Sequence, residues 1–528
     1  MEQLNNVLPV SVEENQPGAA NSQRSNQNSP LLKQVRQKFG IFGGISLIFG
    51  ITFAFCFYKA EIGLNALLFA IVVVILLSII MNQLKIPPKR VTLFYYSGTI
   101  LLGLSSMLTS SGNLQFINTV GMLLLLDLSI LHQFHDDKQW DFAKHLGRMF
   151  GLAFSSIVAI RMPFVDSLDF LKKTRVLKTD RSRNIIIGVI IAFPLLWVIV
   201  ALLSSADLLF GEITKQVYKF FFSSNIINVG LLILFGFLAC YCIICGAAGR
   251  VLETENQKSR KKADSVIAVT AMALIGIVYA AFCSIQVIYL FANGLFILPE
   301  EFTFAEYARR GFFELLTVTV INIILMLICS AAFRESKILR FILTGITICT
   351  YIMIASATYR MVLYIKVYNL TFLRLFVLLF LLIDALVLAG VITSEYKKAF
   401  PLFGYCVTVV TICYLIFSFA RPDYFIASYH INNKEELNVE DIAFLTQELS
   451  FDAAPIIIPL LSDPSSWSMA DTSFEQKIDG RYLAWDSLPD YTDMYYEKIA
   501  LEEKVRGIRD YNYSYYLASK FTKQYPRQ

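Results

Sequence analysis

The dominant pattern along the chain is a succession of apolar runs about twenty residues long, separated by short polar segments. A helix needs about 20 mainly apolar residues to cross about 30 Å of hydrocarbon. In lipid the backbone polar groups must be satisfied internally, so segments of this kind are helices. The pattern predicts about eleven spans. They cover residues 39–58, 62–84, 92–109, 114–132, 185–204, 226–249, 265–291, 312–333, 340–358, 375–393 and 400–419.

Polar segments flank this apolar region at both ends. Residues 1–38 are rich in Asn, Gln and Ser, which predicts a disordered tail. Residues 421–528 predict a small soluble domain, in which Asn438 and Asp441 cap one helix and 493–521 form another. The predicted fold class is therefore all-α: a polytopic transmembrane helix bundle over 39–420 with a small, mainly helical C-terminal soluble domain.

Composition supports a membrane protein and argues against a nucleic-acid-binding one. Only 16% of the 528 residues are charged, whereas soluble domains carry about 25%. The part of the chain after residue 421 holds roughly 18 acidic and roughly 10 basic residues, so the remainder is basic. That asymmetry is typical of membrane orientation, and the partner it indicates is the lipid bilayer.

The positions of the basic residues predict the orientation. Alternating the spans from a cytoplasmic N-terminus places most loop lysines and arginines inside, including Lys89, Arg90 and those of 258–262. The positive-inside rule then predicts a cytoplasmic N-terminus, and an odd number of spans puts the C-terminal domain outside the cell membrane.

One apolar stretch could reverse this parity. Residues 146–160 are apolar but short, and Arg148 interrupts them. Apolar side chains recur there at helical spacing, which favours a helix lying in the cytoplasmic interface within an interfacial segment at 138–170. If this helix crosses the membrane instead, the C-terminal domain is cytoplasmic.

Motifs of soluble enzymes are missing from the sequence. It has no Gly-rich phosphate loop, no zinc-protease helix motif and no nucleophile elbow, so no catalytic residue, metal or cofactor is assigned. His132 and His135 beside Asp136 and Asp137 could share a metal, but a solvated helix end explains them better. The nine cysteines lie in apolar segments, which is typical of small buried side chains.

Two carboxylates inside predicted spans are candidate functional residues. Asp127 and Asp384 lie in otherwise apolar runs, where an ionisable group costs several kcal/mol unless it is paired or faces a cavity. One interpretation is a proton or cation path, or a polar cavity between helices. The other is a hydrogen-bonded carboxyl that ties helices together.

A second candidate site lies on the predicted outer side, in the segments 307–315 and 359–374. The three bases of 359–374 run against the positive-inside trend, which indicates an acidic partner, an anionic substrate or a lipid headgroup. Interfacial anchoring by Tyr, Arg and Lys is the alternative. The candidate residues are Tyr307, Arg309, Arg310, Glu314, Tyr359, Arg360, Tyr364 and Arg374.

These two segments, YARRGFFEL and YRMVLYIKVYNLTFLR, resemble the signature stretches of a bacterial multi-pass membrane family, domain of unknown function 4173. The family pattern usually has Gly before its Leu-Thr pair, where this chain has Asn369. The resemblance covers roughly 180–420 and implies a bacterial cytoplasmic-membrane protein. It implies no catalytic role.

Three functions are compatible with the sequence. The first is binding, assembly or signalling in the cell envelope, through the outer polar site and an external C-terminal domain that contacts another envelope protein. The second is a transporter or channel that uses Asp127 or Asp384. The third is a membrane enzyme acting on lipid-linked substrates, and it ranks last because no nucleophile and base can be paired. The sequence does not indicate an oligomeric state.

Overall fold

The computed structural model describes residues 29–135, 137, 140–173, 180–222, 225–249, 262–291, 312–397, 399–434, 437–462, 475–478, 481–484 and 488–526. Within these ranges the chain is almost entirely helical, so the all-α, polytopic fold class is confirmed. The exception is one short antiparallel hairpin, β1 (Glu475–Ile478) paired with β2 (Arg481–Ala484).

The helices of the apolar region follow one another along the chain. They are α1 (Pro30–Gln37), α2 (Phe39–Phe57), α3 (Leu64–Gln83), α4 (Arg90–Leu108), α5 (Gly112–Phe134), α6 (Phe142–Val158), α7 (Met162–Lys173), α8 (Asp180–Ala206), α9 (Leu208–Phe222), α10 (Asn225–Gly249), α11 (Ser265–Phe291), α12 (Phe312–Ala332), α13 (Lys337–Tyr368), α14 (Phe372–Tyr396) and α15 (Leu402–Phe419).

The residues after α15 form shorter helices, which we call the C-terminal region (422–526). They are α16 (Pro422–Asn432), α17 (Val439–Ala443), α18 (Ala454–Ser462), α19 (Leu488–Val505) and α20 (Tyr513–Gln524). A single π-helical turn (Phe444–Glu448) follows α17, and a 3₁₀ turn (Phe451–Ala453) precedes α18.

Eleven helical segments of the described chain are long and apolar enough to cross a membrane, which makes the chain a multi-pass membrane protein. Ten of them coincide with predicted spans, and the eleventh is the continuous segment Phe142–Lys173. The remaining predicted span, 185–204, lies within α8. The apolar part of this helix, Leu195–Ala206, is shorter than the eleven segments above.

Three boundaries differ from those predicted. Residues 30–37, assigned to the disordered tail, form α1, because Pro30 starts the helix and Leu32 and Val35 bury one face; residues 1–28 lie outside the described ranges. The predicted outer loop at 359–374 is helical as far as 368, since α13 runs for 32 residues. The helix predicted over 493–521 is two helices, separated where Asn512 caps α20 by accepting a hydrogen bond from the Ser514 amide.

The chain divides into two compact units, and the division runs through several helices. The first unit comprises Met1–Gly50, Ile80–Ile86 and Gly151–Asn256, and the second comprises Ile51–Ile79, Pro87–Phe150 and Gln257–Gln528. The second unit therefore contains transmembrane helices together with the whole C-terminal region.

In the first unit α10 packs against α2 and against the turn between α6 and α7. The helices approach closely at Gly50, where a Cβ would lie 2.4 Å from the Ile233 carbonyl oxygen. Near the end of α10, a Cβ at Gly246 would lie 2.8 Å from the Ser156 amide nitrogen. Glycine allows backbones to approach this closely, as in many transmembrane helix pairs.

In the second unit buried polar side chains join helices that are distant in sequence. Asn118 of α5 accepts hydrogen bonds from Tyr414 (2.8 Å) and Ser418 (3.1 Å) of α15, and Ser418 is 2.6 Å from Ser105 of α4. A continuous apolar core extends from α11–α14 into the C-terminal region, where side chains such as Ile457 are fully buried. The C-terminal region thus packs as part of the second unit.

Candidate functional site at the junction of the bundle and the C-terminal region

The residues of the predicted outer polar site have different environments. Tyr307, Arg309 and Arg310 lie outside the described residues. Glu314 is exposed in the first turn of α12. Tyr359, on α13, is 49% exposed. The structure therefore tests the proposed cluster only through its members on α12, α13 and α14.

Arg360 is buried and contacts another transmembrane helix. Only 8% of it is exposed, and its Nη2 donates to Oε1 of Gln286 on α11 at 3.2 Å. Ser356, one turn earlier on α13, donates to the same oxygen at 2.7 Å. Arg360 thus joins α11 to α13, which is a structural role.

Arg374 closes the turn between α13 and α14. It donates to the carbonyl oxygens of Tyr368 (2.5 Å) and Asn369, and its guanidinium lies over the Tyr364 ring, 4.4 Å from the ring centroid. These bonds satisfy the last carbonyls of α13. The structure therefore brings Tyr364 and Arg374 together as a helix cap, and the cation–π contact stabilises it.

The same turn holds the residue before the Leu-Thr pair at a positive φ. Asn369 has φ 66° and ψ 175°, a backbone conformation that favours glycine. Asparagine is among the few other residues that tolerate positive φ. The segment 359–374 therefore comprises a helix end, a turn and the start of α14.

Asp384 is buried in the middle of α14. It is 4% exposed, it lies beside Thr319 of α12, and its Oδ2 has no hydrogen-bond partner among the described residues. One turn along α12, Asn322 accepts a hydrogen bond from Tyr279 (2.7 Å) and donates to Thr350 (2.9 Å). Asp384 therefore belongs to a polar region that α11, α12, α13 and α14 share.

Asp127 lies on α5 and is only partly buried. Its helix packs against α4, and its polar ties to α15 run through Asn118. The helices of the two candidate carboxylates both contact α15. Of the two, Asp384 is the one enclosed among polar side chains.

A histidine–carboxylate cluster lies where α5 ends. His132 Nδ1 is 2.7 Å and His145 Nε2 is 3.6 Å from Oδ2 of Asp137. Burial acts to raise the pKa of Asp137, but the hydrogen bonds from the two histidines hold that pKa well below its usual range. Asp136 lies outside the described residues, and among those described no group of three or more His, Cys, Asp and Glu side chains could hold a metal.

The C-terminal region is hydrogen-bonded to the loop between α4 and α5. Asp452, 1% exposed, accepts bonds from the Thr109 hydroxyl (2.5 Å) and from the amide (2.8 Å) and hydroxyl (3.1 Å) of Ser110. Asn512, which caps α20, donates to the Thr109 carbonyl at 2.7 Å, and Ser514 donates to the Leu108 carbonyl at 2.8 Å. These contacts are buried, so they fix the loop to the C-terminal region.

Two further loops are held in the same way. Before α3, the Leu64 amide donates to the Tyr511 carbonyl at 2.7 Å and the Asn65 amide to the Arg509 carbonyl at 3.0 Å. After α13, His430 is hydrogen-bonded to the Leu370 carbonyl at 2.9 Å. The C-terminal region therefore contacts three interhelical loops, which must lie at one end of the second unit.

A cleft of about 610 Å³ opens between the C-terminal region and two of these loops. The bundle contributes the first turns of α5 and α14, including Ser110, Asn113 and Phe372. The C-terminal region contributes a wall that includes Gln447 and Lys498. Its size is within the range typical of ligand sites in proteins.

Charge is unevenly distributed in the cleft. Ser111 and Thr371, the N-caps of α5 and α14, make no side-chain capping bond, and the first turns of both helices line the cleft together with Lys498 and Glu448. Asp423 lies at the base, 4% exposed, and accepts the Ser450 amide at 3.3 Å. Burial raises the pKa of Asp423 above its ordinary value.

The sequence does not predict this site, because residues that meet at its two walls are more than 300 positions apart along the chain. Only weak local signals exist: hydroxyl and amide residues cluster at 109–113, and Asn512 precedes a helical pattern. Nothing in either segment indicates the other as its partner.

Comparison with known protein families gives one result. The model of the family described as Domain of unknown function (DUF4153) matches residues 96–460, about two thirds of the chain. The expectation of a family of unknown function is thereby confirmed, but the number 4173 suggested by the motifs is corrected to 4153. The match includes α16–α18 of the C-terminal region as well as transmembrane helices. No curated protein and no solved structure matches the chain.

Proposed function

We propose that this chain, which belongs to the family described as Domain of unknown function (DUF4153), is a bacterial cell-envelope protein that binds a partner protein in the cleft. The observation that carries the proposal is a cleft built jointly by interhelical loops and the C-terminal region. Binding, assembly or signalling needs such a surface, and it needs no catalytic group.

The buried bonds on the cleft walls support a preformed site. Asp452 and Asn512 fix the loop at 109–111, and His430 fixes the turn at 369–371. A wall already ordered in the free protein loses little conformational entropy when a partner binds. This favours a rigid receptor surface over a tethered domain that becomes ordered on binding.

The lining indicates the chemistry of the partner. Lys498 can pair with an acidic group of a partner and Glu448 with a basic one, while Phe372 and Phe444 provide apolar contact. A polypeptide segment with an acidic, a basic and an apolar side chain has all three properties. We assign that class to the partner.

Photo-crosslinking in intact cells tests the proposal. A photoreactive amino acid at Gln447, exposed on the cleft wall, should give one specific adduct, and Lys498→Glu should reduce its yield at least fivefold. The matched control position is Glu497, which is exposed on the same region but does not line the cleft. Equal labelling at both positions, or no effect of Lys498→Glu, would count against a cleft-specific partner.

The orientation proposed for the chain is a cytoplasmic N-terminus and an extracytoplasmic C-terminal region. In the second unit, Lys262 is bonded to the Ser330 carbonyl (3.1 Å), and the Arg340 guanidinium lies 5.4 Å from the Tyr396 ring centroid. Those residues are at the ends of their helices opposite to the ends that the C-terminal region contacts. Lys262 and Arg340 thus mark the end away from the C-terminal region, which supports placing that region outside.

Contacts in the first unit support an interfacial position for α7 and the end of α6. Ser156 packs against Gly246, three residues before the end of α10, and Asp166 accepts a hydrogen bond from Tyr241 of the same helix (2.9 Å). A helix rises about 1.5 Å per residue. Residues 156 and 166 therefore both lie near one end of α10. This favours a segment that does not cross the membrane, so the number of spans in the proposal stays odd.

Transport is the second candidate function, and Asp384 is the observation that favours it. A buried carboxyl with an unpartnered oxygen, next to hydroxyl and amide groups, is typical of proton or cation paths. Proton flux into liposomes containing the purified protein, measured with a pH-sensitive dye, should disappear in Asp384→Asn. Asp127→Asn, a matched change on a less buried carboxylate, should leave it intact. A flux that is absent from the native protein, or equal in both variants, removes this candidate.

The third hypothesis, an enzyme acting on lipid-linked substrates, has no arrangement of described residues in its favour.

A further inference from the structure

The first unit contains a second pocket, of about 310 Å³, at the start of the first span. It lies between α1, the first residue of α2 and α7, and it is lined by Lys33, Arg36 and Lys173. The rings of Phe39 and Phe170, 5.5 Å apart, form its apolar side. The pocket thus combines three basic groups with an aromatic surface.

The acidic groups in this pocket are already engaged. Asp166, whose side chain is 2% exposed, accepts a hydrogen bond from Arg36 Nε at 2.7 Å and another from the Tyr241 hydroxyl at 2.9 Å. Asp169 accepts a bond from Lys172 at 2.9 Å. Arg36 thus compensates Asp166 and Lys172 compensates Asp169, so an incoming ligand meets the excess positive charge of Lys33 and Lys173.

Asp166 also orients the arginine. Arg36 bonds to Asp166 through Nε and not through its terminal nitrogens, and 40% of its side chain is accessible. A guanidinium held in this way presents a planar pair of donors, which suits phosphate oxygens. Lys33 and Lys173 are exposed and add two charges without fixed geometry.

The pocket lies at the boundary between polar and apolar surface. Phe39, one of its lining residues, is the first residue of the apolar helix α2. Exposed apolar side chains continue along the two helices that frame it, with Ile41 on α2 and Val165 on α7. Basic pockets at this level of a membrane protein suit the headgroups of anionic lipids.

We propose that this pocket binds the phosphate group of an anionic phospholipid, with Lys33, Arg36 and Lys173 contacting the phosphate and the acyl chains lying along α2. The shared chemistry is a phosphate oxyanion, so free phosphate is the other possible source. The site lies in the first unit and does not depend on the cleft or on the proposed function.

Native mass spectrometry of the full-length protein tests the proposal, with phosphatidylglycerol and phosphatidylcholine of identical acyl chains as probes. Phosphatidylglycerol should bind at least tenfold more tightly. The double variant Lys33→Gln/Lys173→Gln should weaken its binding roughly 10- to 30-fold, since each base near an anionic lipid contributes about fivefold. Both lysines are exposed, so the fold should be unaffected.

Lys38→Gln is the matched control, because Lys38 is exposed on the same segment but does not line the pocket. It should leave the affinity unchanged. Displacement of the lipid by millimolar inorganic phosphate, with the same dependence on Lys33 and Lys173, would identify free phosphate as the occupant and overturn the lipid. Equal affinity for the two lipids would overturn the preference for an anionic lipid, because phosphatidylcholine has the same phosphate. An affinity insensitive to the double variant would overturn the site itself.

Discussion

Replacing Asp452 by Asn should release the loop at 109–111 from the C-terminal region. The native carboxylate is acceptor-only, and all three groups that bond to it, from Thr109 and Ser110, are donors. An asparagine has one oxygen, and its amide nitrogen must face at least one of these donors. The change therefore keeps the shape of the side chain but removes at least one bond and leaves a donor buried without a partner.

The size of the effect follows from these contacts. Hydrogen bonds to charged groups contribute about 1.5–3 kcal/mol each, and leaving a buried donor unsatisfied costs about 1–3 kcal/mol. Bonds that share one carboxylate are not additive. We expect the free energy of local opening to fall by about 3 kcal/mol, which corresponds to about a hundredfold in the opening equilibrium.

Hydrogen exchange of the full-length protein in detergent measures this opening directly. Amides at 109–111 should exchange about a hundredfold faster in Asp452→Asn, because exchange of protected amides follows the local opening equilibrium. The matched control is Glu497→Gln, the same loss of charge on an exposed side chain of α19. It should change exchange at this loop by less than twofold.

Unchanged exchange in Asp452→Asn would refute the reasoning, since the loop would then be held by other contacts. Faster exchange throughout the transmembrane helices would refute it differently. It would mean that Asp452 stabilises the whole second unit and not the junction.

Three further predictions concern the same junction. Gly63→Ala should lower the melting temperature by several degrees, because the added Cβ would lie 2.4 Å from a backbone carbonyl oxygen of the C-terminal region. Gly507→Ala is the control and should be neutral, because its Cβ would meet no atom within 4 Å. Asn369→Gly should stabilise the protein by about 1 kcal/mol, because glycine relieves the strain of a positive φ. The control is Asn433→Gly, which should not stabilise the protein, because Asn433 has φ −97°. Burial lowers the pKa of His430. The contribution of the neutral imidazole to the free energy of unfolding is therefore complete above the unfolded pKa of about 6.5, and it is lost as the pH falls through the lower folded pKa. A thermal-melting series should show that loss, and His430→Gln should flatten it.

The hydrophobic pattern was sufficient to predict the transmembrane helices but not the site. An apolar run near twenty residues has one stable solution in lipid, so ten spans were located to within a few residues, except that α13 extends to Tyr368. The polar residues of 359–374 allow either a ligand site or interfacial anchoring, and the sequence does not indicate that Arg374 caps a helix or that Arg360 bonds to Gln286. The residue that a side chain contacts on another helix depends on how distant segments pack, and a single sequence does not indicate that packing.

The cleft and Asp384 lie on one helix, and this links the two candidate functions. Phe372 in the first turn of α14 lines the cleft, and Asp384 is twelve residues further on, about 18 Å along the axis. A partner that displaces the start of α14 would therefore also move the carboxyl relative to Thr319. Proton flux in Asp452→Asn distinguishes the alternatives, because this variant loosens the junction without touching the polar region around Asp384. Altered flux would mean that the junction controls a path through the bundle, and unaltered flux would mean that Asp384 acts independently of the cleft.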